Sequence, residues 1–109
     1  MPYNKDIETR INQFASVWKD TVQKKMFGGV CYLLKGNMFC GVYKDSLILR
    51  LGEDRAKRAL TLPSVSPFDI TGRPMKGWVM VEPAGFQSDE GLKEWLTKAR
   101  EFVSHLSPK

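Results

Sequence analysis

Hydrophobic residues recur at helical spacing at both ends of the chain. Near the start, the apolar stripe comprises Ile7, Ile11, Phe14 and Trp18. Because polar residues fill the positions between them, the stripe predicts an amphipathic helix over residues 4–19. Near the end, a longer stripe comprises Leu92, Trp95, Leu96, Ala99, Phe102, Val103 and Leu106. Ser88 and the acidic residues after it are typical of a helix start, so this second helix is the best-defined predicted element.

The next part of the chain is rich in β-formers. Residues 26–34 and 38–43 predict two strands joined by a tight turn at Gly36-Asn37, since both residues tolerate positive φ. A second turn near Asp45-Ser46 returns the chain into a third strand over residues 47–51. These three strands therefore form an antiparallel meander.

A short helix and two further strands complete the predicted order. Residues 52–60 begin with Gly52-Glu53-Asp54, whose acidic side chains suit a helix N-terminus. Residues 68–70 and 77–82 predict two strands separated by a proline- and glycine-containing loop. The order α-β-β-β-α-β-β-α predicts one α+β domain over residues 1–109, with two layers and an antiparallel sheet.

The predicted first hairpin also determines where the two cysteines lie relative to each other. With a turn at Gly36-Asn37, Leu33 pairs with Cys40 and Cys31 lies diagonally across from Cys40 on the same face. Their separation of about 7–8 Å is outside disulfide geometry. We therefore expect two buried, reduced thiols, which is typical of a cytoplasmic protein.

Alternation along the predicted strands sorts their side chains into two faces. We expect the helices to cover the aliphatic face, which comprises Cys31, Leu33, Cys40, Val42, Leu49, Leu51, Val79 and Val81. The opposite face comprises Tyr32, Leu34, Phe39, Tyr43, Ile48, Arg50, Trp78 and Met80. In a two-layer domain nothing covers this second face, and such a patch is too apolar for a monomer.

Three interpretations of the second face remain open. A homodimer interface would bury it, with the candidate interface residues Tyr32, Phe39, Tyr43, Arg50 and Trp78. A stacking platform for single-stranded nucleic acid would use the same aromatic rings together with Arg50. The third alternative is that a helix covers this face after all.

Charge and hydropathy limit the partners. The net charge is +5 and the isoelectric point is near 9.4, but the basic residues are spread evenly along the chain. An even excess favours solubility over a phosphate-binding surface, so nucleic acid is not the favoured partner. The sequence contains neither an apolar run long enough to span a membrane nor the apolar stretch of a signal peptide. We expect a cytoplasmic protein with no membrane association.

Three glycine-containing stretches carry a resemblance to a known family. They cover residues 24–29, 36–42 and 71–79, in that order. Together they resemble the TfoX N-terminal domain family, which includes the TfoX/Sxy regulators of bacterial DNA uptake, and the resemblance extends over residues 7–106. It implies a compact α+β domain in a bacterial cytosol and supplies no activity. Full regulators carry a further C-terminal domain, so we expect a stand-alone domain and do not carry over competence control.

The polar residues form no catalytic signature. His105 lies on the last helical turn, where a cation is favourable, and it has no nucleophile elbow or Cys-His motif beside it. Cys31, Cys40 and His105 match no zinc-ligand spacing. We therefore expect no enzyme activity, no metal and no cofactor. Arg73 and Lys76 are the candidate anion-binding residues, and the alternative is an ordinary turn with solvated charges.

These observations favour a non-catalytic interaction or regulatory module that forms a homodimer and contacts protein partners. The alternative is a domain that binds single-stranded nucleic acid through the aromatic sheet face, or a small anion through the loop of Arg73 and Lys76.

Overall fold

The computed structural model describes residues 3–26, 29–68 and 75–107, which form three α-helices and six strands. The elements are α1 (Lys5–Ala15), β1 (Thr21–Met26), β2 (Gly29–Leu34), β3 (Asn37–Tyr43), β4 (Ser46–Arg50), α2 (Glu53–Ala59), β5 (Val65–Pro67), β6 (Trp78–Val81) and α3 (Asp89–Ser104). The predicted α+β class, with an antiparallel sheet in two layers, is confirmed. The order is α-β-β-β-β-α-β-β-α, one strand more than the sequence predicts.

The additional strand, β1, lies at one edge of the sheet. Four of its side chains, at positions 22–25, are exposed on both faces of the strand. An edge strand of this kind buries no apolar face, so it lacks the alternation by which strands are predicted. The strand that follows, β2, is buried along most of its length and is correctly predicted.

The sheet has the strand order β1-β2-β3-β4-β6-β5 and is antiparallel throughout. The three helices pack on one face, where their buried side chains join one core with the strands. The helices contribute Ile7, Ile11, Ala15, Ala56, Ala59, Leu92, Leu96, Ala99 and Val103. The strands contribute Val30, Tyr32, Leu34, Phe39, Cys40, Val42, Leu47, Leu49, Val65, Val79 and Val81.

The first hairpin turns one residue earlier than predicted. Leu34 and Asn37 form the closing pair, and the turn residues are Lys35 at φ 51° and Gly36 at φ 87°. Two consecutive residues with positive φ are typical of a two-residue hairpin turn. Asn37 therefore belongs to β3, where its side chain is 3% exposed and its Nδ2 donates a hydrogen bond to the Ser107 carbonyl at 2.9 Å.

A β-bulge follows this turn. Leu33 pairs with Met38 while Tyr32 pairs with Cys40, so Phe39 is the extra residue of β3. Because the turn comes one residue earlier, every side chain of β2 points to the face opposite the predicted one. In β3 the extra residue of the bulge cancels this shift, so the side chains from Cys40 onwards point as predicted. The predicted facing of Cys31, Leu33, Tyr32, Leu34 and Phe39 is therefore wrong. The predicted facing of the later strands is confirmed.

Other element boundaries differ from the predicted ones by a few residues. The second turn closes with Tyr43 paired to Ser46, again one residue earlier than predicted. Strand β5 covers Val65–Pro67, and of the strand predicted over residues 68–70, positions 69 and 70 lie outside the described residues. Helix α1 ends at Ala15 rather than near residue 19. Among the helices that the structure describes, none is long and apolar enough to cross a membrane.

The start of α3 is as predicted. The Ser88 hydroxyl accepts a hydrogen bond from the Gly91 backbone N–H at 3.0 Å, and Asp89 and Glu90 occupy the first turn. The cap satisfies a free backbone N–H, and the acidic side chains interact favourably with the positive N-terminal end of the helix dipole. The best-defined element of the sequence is thus also the longest helix of the fold.

Candidate functional site

The face of the sheet turned away from the helices is the candidate site, and we call it the open face. By strand pairing it comprises Val22, Lys24, Gly29, Cys31, Leu33, Met38, Gly41, Tyr43, Ser46, Ile48, Arg50, Ser66, Trp78 and Met80. Cys31 and Ile48 are buried, yet neither belongs to the core cluster that the helices cover. Within residues 3–26, 29–68 and 75–107, no helical side chain of that core lies on this face.

The centre of the open face is flat and apolar. Ile48 lies directly between Gly41 and Met80 on the neighbouring strands. A Cβ atom on Gly41 would come within 2.8 Å of the Val30 carbonyl oxygen and 2.9 Å of Met38 Cε. The absence of a side chain at Gly41 therefore lets the Met38 side chain lie flat across β3, beside Ile48.

One aromatic ring with its own cation stands at each end of the face. Lys44 Nζ lies 5.5 Å from the centroid of the Tyr43 ring, which is opposite Ser46. At the other end Arg50 pairs with Trp78, and its guanidinium carbon lies 5.6 Å from the Trp78 ring centroid. The distances are those of cation–π contacts. Each ring is thus already in contact with a cation of the same chain.

The Arg50 end is the more enclosed of the two. The Arg50 guanidinium also lies 5.8 Å from the centroid of the Phe102 ring of α3, and the Phe68 ring lies 5.7 Å from that of Trp78. The Arg50 guanidinium and the Phe68 ring both contact Trp78, which remains half-buried. Trp78 is therefore a preorganised apolar contact residue.

Three of the five candidate interface residues, Tyr43, Arg50 and Trp78, lie on the open face and are half-buried. Tyr32 and Phe39 do not, and their prediction as exposed interface residues is wrong. Tyr32 is 1% exposed, and its hydroxyl donates a hydrogen bond to Asn12 Oδ1 of α1 at 2.8 Å. Phe39 is fully buried, with its ring 6.1 Å from that of Trp18.

Two apolar residues that are not predicted on the open face, Leu33 and Met38, lie on it. Leu33 is predicted under the helices and Met38 is predicted on neither face, yet both are half-buried on the open one. Local sequence carries no signal for them, because the turn that places them is selected by the burial of Asn37 against Ser107. A turn at Lys35-Gly36 instead of Gly36-Asn37 places both residues correctly.

Burial removes nucleophilic character from both cysteines, which are free thiols in the structure. Burial raises the pKa of the Cys31 thiol. Burial also raises the pKa of Cys40 well above its usual value, and the nearby Cys31 adds to this effect. Both thiols are therefore protonated at neutral pH, whereas a reactive cysteine needs the thiolate.

The other candidate residues are scattered. His105 is the exposed C-cap residue of α3, and Lys76 is an exposed residue just before β6. Arg73, the second candidate anion-binding residue, lies outside the described residues. In the part of the chain that the structure describes, no three His, Cys, Asp or Glu side chains are grouped so as to hold a metal ion.

The comparisons with known proteins agree with this architecture. The family model of the TfoX N-terminal domain matches residues 12–103, so the chain belongs to that family. No curated protein matches the chain. The crystal structure of Deinococcus radiodurans protein DR2400, with a DUF419 domain, superimposes with a TM-score of 0.67 at 17% sequence identity. The match covers 97% of this chain and 81% of that one, and at this identity it concerns the fold alone.

Proposed function

We propose that this TfoX N-terminal domain is a non-catalytic interaction module that binds a second copy of itself through the open face. The observation that carries the proposal is the set of half-buried apolar side chains on strands β2, β3 and β6, with the buried Ile48 of β4 between them. The half-buried side chains are Leu33, Met38, Tyr43, Trp78 and Met80. Contiguous apolar surface of this kind is typical of contact sites in soluble proteins.

The edges of the sheet favour face-to-face contact over strand addition. Edge strand β1 carries Lys24 and Lys25, both exposed, and charged edge strands resist pairing with another chain. Edge strand β5 has three residues and contains Pro67, which has no backbone N–H to donate. A second copy therefore meets the sheet more favourably at its open face than along either edge.

The aromatic rings of the open face suit a protein partner better than nucleic acid. A stacking platform presents free ring faces to successive bases. Here Lys44 contacts Tyr43 and Arg50 contacts Trp78, so intramolecular cations compete for the ring faces. Tyr43 of β3 pairs with the first residue of β4, and Trp78 of β6 pairs with the last. The two rings therefore belong to positions about 13 Å apart along the strand direction. The surface between them is aliphatic, which favours apolar packing.

A two-fold axis that lies in the plane of the interface, parallel to the open face, would bring its apolar centre onto itself. Five strands about 4.8 Å apart and five residues long give a planar footprint of roughly 400 Å². This is below the roughly 600–800 Å² per partner that is common for stable specific interfaces, so the contact would be a weak one. We therefore expect a dimer that dissociates in the micromolar range.

Light scattering coupled to size-exclusion chromatography tests the proposal from low micromolar to near-millimolar concentration. We expect the molar mass of the wild type to rise from monomer to dimer over this range. Met80→Asp places a charge at the centre of the face and Tyr43→Asp places one at its end. Both variants should remain monomeric, because a buried unpaired charge is costly. Thr97→Asp, on the exposed surface of α3, is the matched control and should dimerise like the wild type.

Two outcomes would contradict the proposal. If the wild type stays monomeric at all concentrations, the protein does not dimerise. If a dimer persists in both variants of the open face, the interface lies on another surface. Circular dichroism of each variant establishes that it is folded. Salt-dependent retention of the wild type, but not of Tyr43→Asp, on a single-stranded oligonucleotide column would favour the nucleic-acid alternative instead.

A further inference from the structure

A groove between α2 and α3, on the helical layer opposite the open face, has a volume of about 600 Å³. We call it the α2–α3 groove. Its lining residues are Leu51, Arg55, Arg58, Ala59, Leu62, Trp95, Lys98 and Glu101. This volume is within the range of about 300–1,000 Å³ that small-molecule sites occupy. The role proposed for the open face uses none of these residues.

The floor and one wall of the α2–α3 groove are apolar and fixed. Leu51 and Ala59 are 2% and 7% exposed, so they belong to the core. Trp95 is held in place because its Nε1 donates a hydrogen bond to the Gly85 carbonyl at 2.9 Å. At the mouth, Leu62 is 46% exposed. An apolar ligand body resting on these residues would shield Leu62 from water.

Cations from both helices surround this apolar floor. Arg55 spans the groove, since its Nη1 donates to the Lys98 carbonyl at 3.2 Å and its Nη2 donates to Glu101 at 2.8 Å. The contact with Arg55 lowers the pKa of the Glu101 carboxyl, which therefore stays ionised at neutral pH. Arg58 follows one turn after Arg55, on the exposed side of α2.

The lining thus has three cations, Arg55, Arg58 and Lys98, and one anion, Glu101. Lys98 also forms an exposed pair with Glu94 at 3.2 Å, and such a pair is weak and readily replaced. The ion pair with Glu101 orients the Arg55 guanidinium, which keeps N–H donors that are free to bind a ligand, and Arg58 adds an exposed positive charge. The lining is therefore complementary to a negative group.

We propose that the α2–α3 groove binds an organic anion: a carboxylate, sulfonate or phosphate ester attached to an apolar body. The apolar body would lie against Leu62 and Trp95, and the anionic group would contact Arg55 and Arg58. A peptide helix fits less well, because α2 has seven residues and so extends only about 10 Å along the groove.

Anilinonaphthalene sulfonate, which has an aromatic body and one sulfonate, is the probe for this proposal. We expect saturable binding with energy transfer from tryptophan to the dye, and only a partial loss of that transfer in Trp95→Phe, because Trp18 and Trp78 of the same small domain also transfer energy to it. Arg58→Glu and Leu62→Ser should each weaken binding roughly tenfold. The first removes a contact with the sulfonate, and the second removes an apolar contact with the ring system. Both positions are exposed, so we expect these variants to fold. Lys25→Glu makes the same charge change on β1 and should leave the affinity within about twofold.

Competition separates the two parts of the recognition. Octanoate should displace the dye, whereas octylamine and inorganic phosphate should not, since one lacks the negative charge and the other the apolar body. Equal displacement by octanoate and octylamine would overturn the proposal. So would dye binding that Met80→Asp abolishes while Arg58→Glu leaves it unchanged, because the dye would then occupy the open face.

Discussion

Cys31 and Cys40 lie on adjacent strands but on opposite faces of the sheet. Cys31 pairs with Gly41 on the open face, while Cys40 pairs with Tyr32 under the helices. Their Cα–Cβ bonds therefore point in opposite directions, and a disulfide between them would require movement of the backbone. Cys40 is fully buried and Cys31 is 6% exposed, so neither thiol is accessible for a disulfide with a cysteine of another molecule.

We predict that both cysteines stay reduced in the native protein under air. Alkylation in denaturant without reductant, followed by mass spectrometry, should find two modified thiols in every molecule. In the native state both should react slowly, since burial raises the pKa of each thiol and keeps the thiolate scarce. Recovery of a Cys31–Cys40 linkage would show that the register of β2 against β3 is wrong.

The Tyr32 hydroxyl gives a prediction for alkaline pH. Burial first, and then the charges of Cys40 and Glu8, raise the pKa of this phenol above its ordinary value near 10. A group with a raised pKa in the folded state contributes stability below its unfolded pKa and loses that contribution as pH rises towards the folded pKa. The free energy of unfolding should therefore fall as pH increases above about 10, as measured by urea unfolding.

Two substitutions separate the charge of Tyr32 from its hydrogen bond. Tyr32→Phe should reduce the loss of stability above pH 10 and cost about 1 kcal/mol at neutral pH. Asn12→Ala removes the acceptor at 2.8 Å but keeps the phenol, so it should cost a similar amount at neutral pH while the alkaline loss persists. An alkaline loss of equal size in Tyr32→Phe and in the wild type would assign it to other groups.

The period of the apolar residues predicts the helices and most strands, but the facing of β2 depends on one residue of the turn. A shift of one residue reverses every side chain of a strand. Both Gly36-Asn37 and Lys35-Gly36 are plausible turns by composition. Burial of Asn37 against Ser107, residues distant in sequence, selects the second. Local sequence does not contain this tertiary contact.

The candidate site is only partly predictable from the sequence for the same physical reason. Tyr43, Arg50, Trp78 and Met80 follow from simple alternation, because no irregularity interrupts their strands between the paired positions. The α2–α3 groove, in contrast, joins residues from two helices separated by β5 and β6, and its shape depends on how those helices pack. Neither periodicity nor composition determines that packing.

The last prediction concerns Gly52, which precedes α2 and connects the sheet to the helical layer. Its φ is 88°, and a Cβ atom there would lie 2.6 Å from Cε1 of the Phe102 ring on α3. Gly52→Ala should therefore destabilise the protein by about 2 kcal/mol, from strain at positive φ and from displacement of the ring. Gly91→Ala is the control: Gly91 lies within α3 without positive φ, so we expect a change within about 1 kcal/mol. Thermal and urea unfolding measure both variants. Equal stability of Gly52→Ala and the wild type would mean that the chain at Gly52 and the Phe102 ring are arranged differently from this structure.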